Sequence, residues 1–134
     1  MLTSSSTEAD LLAFHAVRDA GFDERRPAGP GEIAQMRRQL DHGTLFALGR
    51  LDGVAAGTAV LTPLDRVGEI TGVSTLPAFR RRGVAATVTS RLVDYFFVAG
   101  GTLAWLDAAD IAARALYSGL GFRVVANWLS YIQP

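Results

Sequence analysis

The architecture turns on residues 77–101, PAFRRRGVAATVTSRLVDYFFVAGG. Val84, Val88, Leu92 and Phe96 recur at the spacing of one helical face, and the pattern stops at Gly100 and Gly101. This is the longest helix the sequence predicts. Pro77 separates it from an extended run over residues 69–75, so Arg80, Arg81, Arg82, Gly83, Val84 and Ala85 fall at a strand-to-helix junction. The first turn of a helix has amides without intrahelical acceptors, and the aligned peptide dipoles add partial positive charge there, so a phosphate is a natural occupant. Gly83 and Ala85 interpose no bulky side chain, and three arginines supply counter-charge. The same residues also read as a solvated basic helix start, and spacing alone leaves both readings open.

On the N-terminal side, residues 8–20 place Leu11, Phe14 and Val17 on one face behind the caps of Ser5, Ser6 and Thr7, which predicts a helix ending at Gly21. Pro30 opens a second helix carrying Ile33, Met36 and Leu40, closed by Gly43. The period then becomes extended. Residues 44–51 and 54–61 flank Asp52-Gly53, a dipeptide suited to a two-residue hairpin turn. Residues 62–68 read as a Pro- and Gly-bearing loop. In the strand over residues 69–75, Glu69, Thr71 and Val73 share a face, and Gly72 marks a bulge or a splayed strand. After the long helix come a short buried strand over residues 102–107, a helix over 111–120 ended by Gly121, and a closing pair of strands over 122–125 and 128–132. The order predicts one domain over residues 1–134, in the mixed α/β class, with a helical part over 1–43 and a core over 44–134.

Composition narrows the chemistry. The 134 residues are 49% apolar and carry 13 basic against 13 acidic groups and no cysteine. Thiol nucleophiles, disulfides and iron–sulfur ligation are excluded, and because every basic side chain is Arg, so is a lysine Schiff base. His15 and His42 have no partner at metal-ligand spacing and read as structural or surface residues, so no metal is expected. Balanced charge argues against nucleic acid as the partner. The start, MLTSSSTEAD, lacks the pattern of a secretory signal, and the nearly uncharged residues 95–106 are too few to span a bilayer. A soluble cytoplasmic protein without membrane contact is expected.

Residues 68–85, GEITGVSTLPAFRRRGVA, resemble the acetyl-CoA-binding motif of the GNAT N-acetyltransferase superfamily, whose signature is Arg or Gln, two intervening residues, Gly, one residue, then Gly or Ala. Arg80, Gly83 and Ala85 stand at those places. Downstream, Asp110, Ala113, Tyr117, Gly121 and Phe122 are similar to the family's Asn-x-x-Ala-x-x-x-Tyr-x-x-x-Gly-Phe segment. The match covers roughly residues 44–132 and resembles the C-terminal domain of tandem bacterial GNAT proteins.

The resemblance implies a central mixed, mostly antiparallel sheet flanked by helices, and a direct attack of an amine acceptor on acetyl-CoA, with no metal. It implies that Val73 and Thr75 offer backbone groups to the pantetheine arm, and that the amides of Arg81, Arg82, Gly83, Val84, Ala85 and Ala86 cradle the pyrophosphate beside Arg80. Tyr117 would lie near the sulfur and donate a proton to the departing thiolate, with core packing on Phe122 as the competing role. Glu69 would take the amine's proton if half-buried, or is simply solvated. Asp110 stands where the family has Asn and so offers no amide donor. Trp128 and Tyr131 could flank the acceptor, or pack in the core; Asp23 and Glu24 could attract a cationic amine, or be a solvated turn. The family's first strand is apparently missing, which exposes a sheet edge at residues 44–51 or 54–61 and implies a homodimer or a companion domain. The alternative function is a non-catalytic acyl-CoA-binding or regulatory module. Nucleic-acid binding through Arg80, Arg81 and Arg82 is a third reading, which the neutral overall charge disfavours.

Overall fold

The computed structural model describes residues 1–21, 28–127, 129 and 133. Helices α1 (Glu8–Gly21) and α2 (Pro30–Asp41) precede strands β1 (Leu45–Leu51), β2 (Val54–Leu64) and β3 (Val67–Thr75). A single 3-10 turn (Pro77–Phe79) leads to α3 (Val84–Val98), β4 (Leu103–Trp105) and α4 (Ile111–Gly119). The sheet runs β1-β2-β3-β4, antiparallel except for the parallel β3–β4 pair. This is the mixed, mostly antiparallel sheet flanked by helices that the sequence predicts.

The hairpin between β1 and β2 turns on Asp52 (φ 51) and Gly53 (φ 79), two left-handed residues whose twist matches that of the strands. Residues 62–68 are not a loop. β2 continues to Leu64, β3 begins at Val67, and the turn between them holds Asp65 at φ 58. Pro63 is tolerated because β1 pairs with β2 only up to Leu45↔Leu61. Beyond that point one side of β2 has no ladder from which a missing N–H would be lost.

Alternation along the strands divides the core. Phe46 and Val60 face α1 and α2, where they meet Leu11, Phe14, Ile33 and Met36, with the Phe14 and Phe46 rings edge-on at 5.0 Å. Ala47, Ala59, Leu61 and Ile70 face α3 and pack on Val88, Leu92 and Phe96. Each large side chain so buried stabilises the fold by about 1.5–3 kcal/mol. α3 comes unusually close to the sheet at its N-terminal end. Gly49 and Gly57 pair across β1 and β2; a Cβ on Gly49 would lie 2.6 Å from Val88 Cγ1, and one on Gly57 would overlap Val84 Cγ1. Two facing glycines therefore set the height of the α3 N-terminus.

No strand precedes α1 among the described residues. Leu2 is buried, and its N–H donates to the Phe46 carbonyl at 2.8 Å, a single bond on the outer side of β1. β1 is thus the border strand and β2 is interior. The C-terminal expectation is corrected in part: residues 122–127 are irregular, with Val124 56% and Val125 92% exposed, so they bury too little to hold a strand in place. Of the second predicted strand, residues 128 and 130–132 lie outside the described residues.

Candidate functional site

β3 and β4 pair over three residues only, Val67↔Leu103 to Glu69↔Trp105. Beyond Glu69 the two strands part, and α3 and α4 flank the opening. A cleft of about 380 Å³ lies between the end of β3 with the head of α3 on one side and α4 on the other. Thr75 at the end of β3, Phe79, Arg80 and Arg81 in the connection, and Gly83, Val84 and Ala85 at the head of α3 form one wall; Ala112, Ala113 and Leu116 of α4 form the other. The two sequence motifs, remote along the chain, meet across this space. Phe79, Ala112 and Leu116 were not singled out by sequence reasoning, because a cleft wall of small and apolar residues has no signature of its own.

Residues 80–86, the candidate phosphate site, turn sharply into the head of α3. Arg81 (φ 61) and Gly83 (φ 79) are both left-handed, and Gly83 caps α3, its carbonyl accepting from the Thr87 N–H at 3.0 Å. The N–H groups of residues 81–86 donate to no acceptor among the described residues. A side chain on Gly83 would meet nothing within 4 Å, so its requirement is the positive φ rather than space. Arg81 and Arg82 are exposed, and the Arg82 guanidinium stands over the Phe79 ring at 5.9 Å.

Arg80 has a structural task at the cleft's rim. Its Nε donates to the Thr75 carbonyl at 3.4 Å and its Nη2 to the Gly21 carbonyl at 3.2 Å. Ser74 Oγ donates to the carbonyls of Val17 and Arg18 at 3.3 and 3.1 Å. Together they fasten the carbonyl end of α1 to the end of β3, and Gly21 is needed because a Cβ there would overlap Ser74 Oγ. Arg80 adds a cation where the helix dipole is negative.

The other expected residues are placed as follows. Val73 is half-buried against the α3 side of the core, and Thr75 lines the cleft. Ala86 is half-buried in the first turn of α3. Asp110 is the N-cap of α4: its carboxylate accepts from the Ala113 N–H at 2.7 Å. Asp and Asn cap equally well, so the departure from the family pattern preserves this role. Tyr117 is 9% exposed, packs edge-on against Phe122 with centroids 5.9 Å apart, and is absent from the cleft lining given above. Burial pushes its phenol above the ordinary tyrosine value, so the hydroxyl is protonated at neutral pH. Glu69 is exposed rather than half-buried, with Thr62 and Trp105 as its lateral neighbours. Of the two alternatives its position offers, the exposure of Glu69 is that of the solvated carboxylate. Asp23, Glu24, Trp128 and Tyr131 lie outside the described residues.

A second, smaller cavity of about 120 Å³ lies between α1 and α2, lined by His15, Arg18, Glu32, Gln35, Met36 and Gln39. His15 is buried, as a structural residue would be, with Nδ1 3.4 Å from Asp19 Oδ2. His42 Nδ1 lies 2.7 Å from the Arg38 carbonyl at the end of α2. No group of three metal-ligating side chains occurs among the described residues, and none of their helices is long and apolar enough to cross a membrane.

A model of the acetyltransferase (GNAT) family matches residues 11–122. Solved structures resemble the chain over nearly its whole length. An aminoglycoside acetyltransferase, HMB0005, from an uncultured soil metagenomic sample is 24% identical, with 99% of this chain and 94% of that one covered and a TM-score of 0.78. The glucosamine-6-phosphate N-acetyltransferase of Arabidopsis thaliana is 17% identical, with 98% and 94% covered and a TM-score of 0.76. The aminoglycoside N-acetyltransferase AAC(6')-Iy in complex with CoA is 19% identical, with 96% and 91% covered and a TM-score of 0.76. At these identities the likeness establishes the fold. Comparison with curated proteins gives no match.

Proposed function

Because the chain belongs to the acetyltransferase (GNAT) family, we propose that it moves an acetyl group from acetyl-CoA to the nitrogen of a small or protein-borne amine. The observation that carries this reading is the cleft itself: six consecutive amides without acceptors among the described residues, at a helix head flanked by arginines and facing a wall of small α4 residues. Amides and dipole together suit a pyrophosphate, and the apolar wall of Ala112, Ala113 and Leu116 suits the pantetheine arm.

In this reading the amides of Arg81, Arg82, Gly83, Val84, Ala85 and Ala86 hold the diphosphate, with Arg81 and Arg82 screening its charge. Arg80 and Asp110 keep the two walls in place, Arg80 through α1 and Thr75, Asp110 by capping α4. Thr75 and Val73 contribute backbone groups to the arm. The amine nitrogen forms its bond to the carbonyl carbon while the C=O pair moves onto oxygen, where the Val73 N–H stabilises it. That pair returns as the C–S bond breaks, and the sulfur keeps the bonding electrons. Tyr117 donates a proton to the sulfur, and Glu69 takes the proton shed by the nitrogen, directly or through water. Self-association along β1 belongs to the same proposal, supported by the border position of that strand; light scattering that finds only monomer would remove it.

The exposure of Glu69 and the packing of Tyr117 favour a second reading, an acyl-CoA-binding module without turnover. Acetyl-CoA raises the melting temperature in both cases. Only the enzyme releases free CoA when offered amines, among them aminoglycosides and phosphorylated amino sugars, and release with none of a broad panel leaves the binding module standing.

A further inference from the structure

Thr58 is 0% exposed in the middle of β2, and its Oγ1 donates to the Gly72 carbonyl at 2.9 Å. The contact falls on the irregular point of the β2–β3 ladder. Thr58 pairs with Ser74 and Val60 with Thr71, which leaves Gly72 and Val73 together opposite Ala59. Gly72 is left-handed at φ 58, and a Cβ on it would stand 3.2 Å from Val60 Cγ2, so the bulge is specified from both sides. A hydroxyl buried this deeply must find an acceptor, and it takes a carbonyl that the regular ladder has released.

The Gly72 carbonyl and the Val73 N–H belong to one planar peptide unit. The described chain has no cis bond, so the two groups point in opposite directions. By drawing the Gly72 oxygen towards β2, Thr58 turns the Val73 N–H away from β2, to the side on which β3 and β4 part. We infer that Thr58 is a positioning residue for acetyl transfer: it locks the peptide that presents the Val73 N–H to the thioester carbonyl. The inference rests on the acetyl-CoA reading given above. It identifies a residue that touches neither substrate and acts by keeping a donor from reorienting when charge develops on the oxygen, which is what makes such donors effective.

Isotope-edited infrared spectroscopy of acetyl-CoA labelled at the thioester carbonyl, bound to the full chain, tests it. In the unaltered protein the carbonyl stretch moves to lower frequency on binding. In Thr58→Val the stretch returns towards its free value, while calorimetry finds the acetyl-CoA Kd changed by no more than about twofold, because the diphosphate amides are untouched. Thr58→Ser, which keeps the hydroxyl, retains the unaltered frequency. Should Thr58→Val fail to fold, Thr58→Ala takes its place, and the Val73 amide proton of the unaltered protein is followed by NMR; it shifts on binding acetyl-CoA and much less on binding CoA. A folded Thr58→Val or Thr58→Ala with the unaltered stretch, or a Val73 amide indifferent to the acetyl group, overturns the role of Thr58 alone. Failure of the unaltered protein to bind acetyl-CoA overturns the functional reading with it.

Discussion

Tyr117 and Phe122 close α4 as a pair: the Phe122 N–H donates to the Tyr117 carbonyl at 3.1 Å while their rings meet edge-on at 5.9 Å. Gly121, at φ 101, donates to the Ser118 carbonyl between them. This is the paired-bond stop in which a left-handed glycine follows the helix and apolar side chains on either side of it touch. The Tyr-x-x-x-Gly-Phe spacing therefore has a physical meaning independent of any chemistry. With Asp110 capping the other end, residues 110–122 encode a complete helix with both of its signals, which aims Ala112, Ala113 and Leu116 at the cleft.

Tyr117→Phe keeps the ring contact and removes only the hydroxyl. Stability near neutral pH is expected to change by less than about 0.5 kcal/mol, while acetyl transfer slows and acetyl-CoA affinity holds. The pH dependence has a definite sign. Burial raises the phenol's folded-state value above its unfolded one, so its contribution to stability is complete below the unfolded value near 10 and is lost as pH rises from there through the raised folded-state value. Urea unfolding at neutral and strongly alkaline pH should show less alkaline loss in Tyr117→Phe than in the unaltered protein; equal losses would show that the buried phenol carries none of it.

Gly57→Ala forces Val84 and the head of α3 away from the sheet. Overpacking of this kind costs about 1–3 kcal/mol. Since the displaced turn is the proposed phosphate cradle, CoA affinity should fall together with Tm. A variant with lowered Tm and unaltered CoA affinity would separate the cradle from the height of α3.

The three arginines should divide by task. Arg81→Ala and Arg82→Ala are expected to weaken CoA binding, the more so at low salt, and to leave Tm unchanged, because both side chains are exposed. Arg80→Ala should lower Tm as well, having lost its bonds to Thr75 and Gly21. Calorimetric titrations at two salt concentrations, with thermal melts alongside, check both halves.

Glu69→Gln should leave stability untouched, since the carboxylate is exposed between Thr62 and Trp105. If Glu69 receives the amine's proton, the variant's rate falls at neutral pH and recovers as pH rises towards the amine's own ionisation. A rate profile superimposable on the unaltered protein's would assign proton removal to solvent.

What could be read from sequence was whatever the local backbone dictates. Asp52-Gly53, Gly72 and the Gly83 helix head each announce a positive φ or a break in periodicity, and each is where the chain predicts it. Pro63 and Gly68 misled, because whether a proline ends a strand depends on where the neighbouring strand stops, and β1 stops pairing at Leu45. Residues 122–125 alternate like a strand yet lack the burial to be one. The site divides in the same way. Its phosphate end follows from a turn of contiguous residues, whereas the tasks of Thr58, Gly57 and Arg80 depend on register and on partners 14 to 59 residues away.

Isothermal titration of the folded protein with CoA bears most directly on the acetyl-CoA reading. Saturable one-to-one binding is expected, weakened by salt and accompanied by a rise in Tm, which at a ligand concentration of about 100 Kd corresponds to roughly 2.7 kcal/mol of added stability. Absence of both heat and thermal shift, in protein with a cooperative melt, would contradict the assignment of residues 81–86 as a diphosphate cradle.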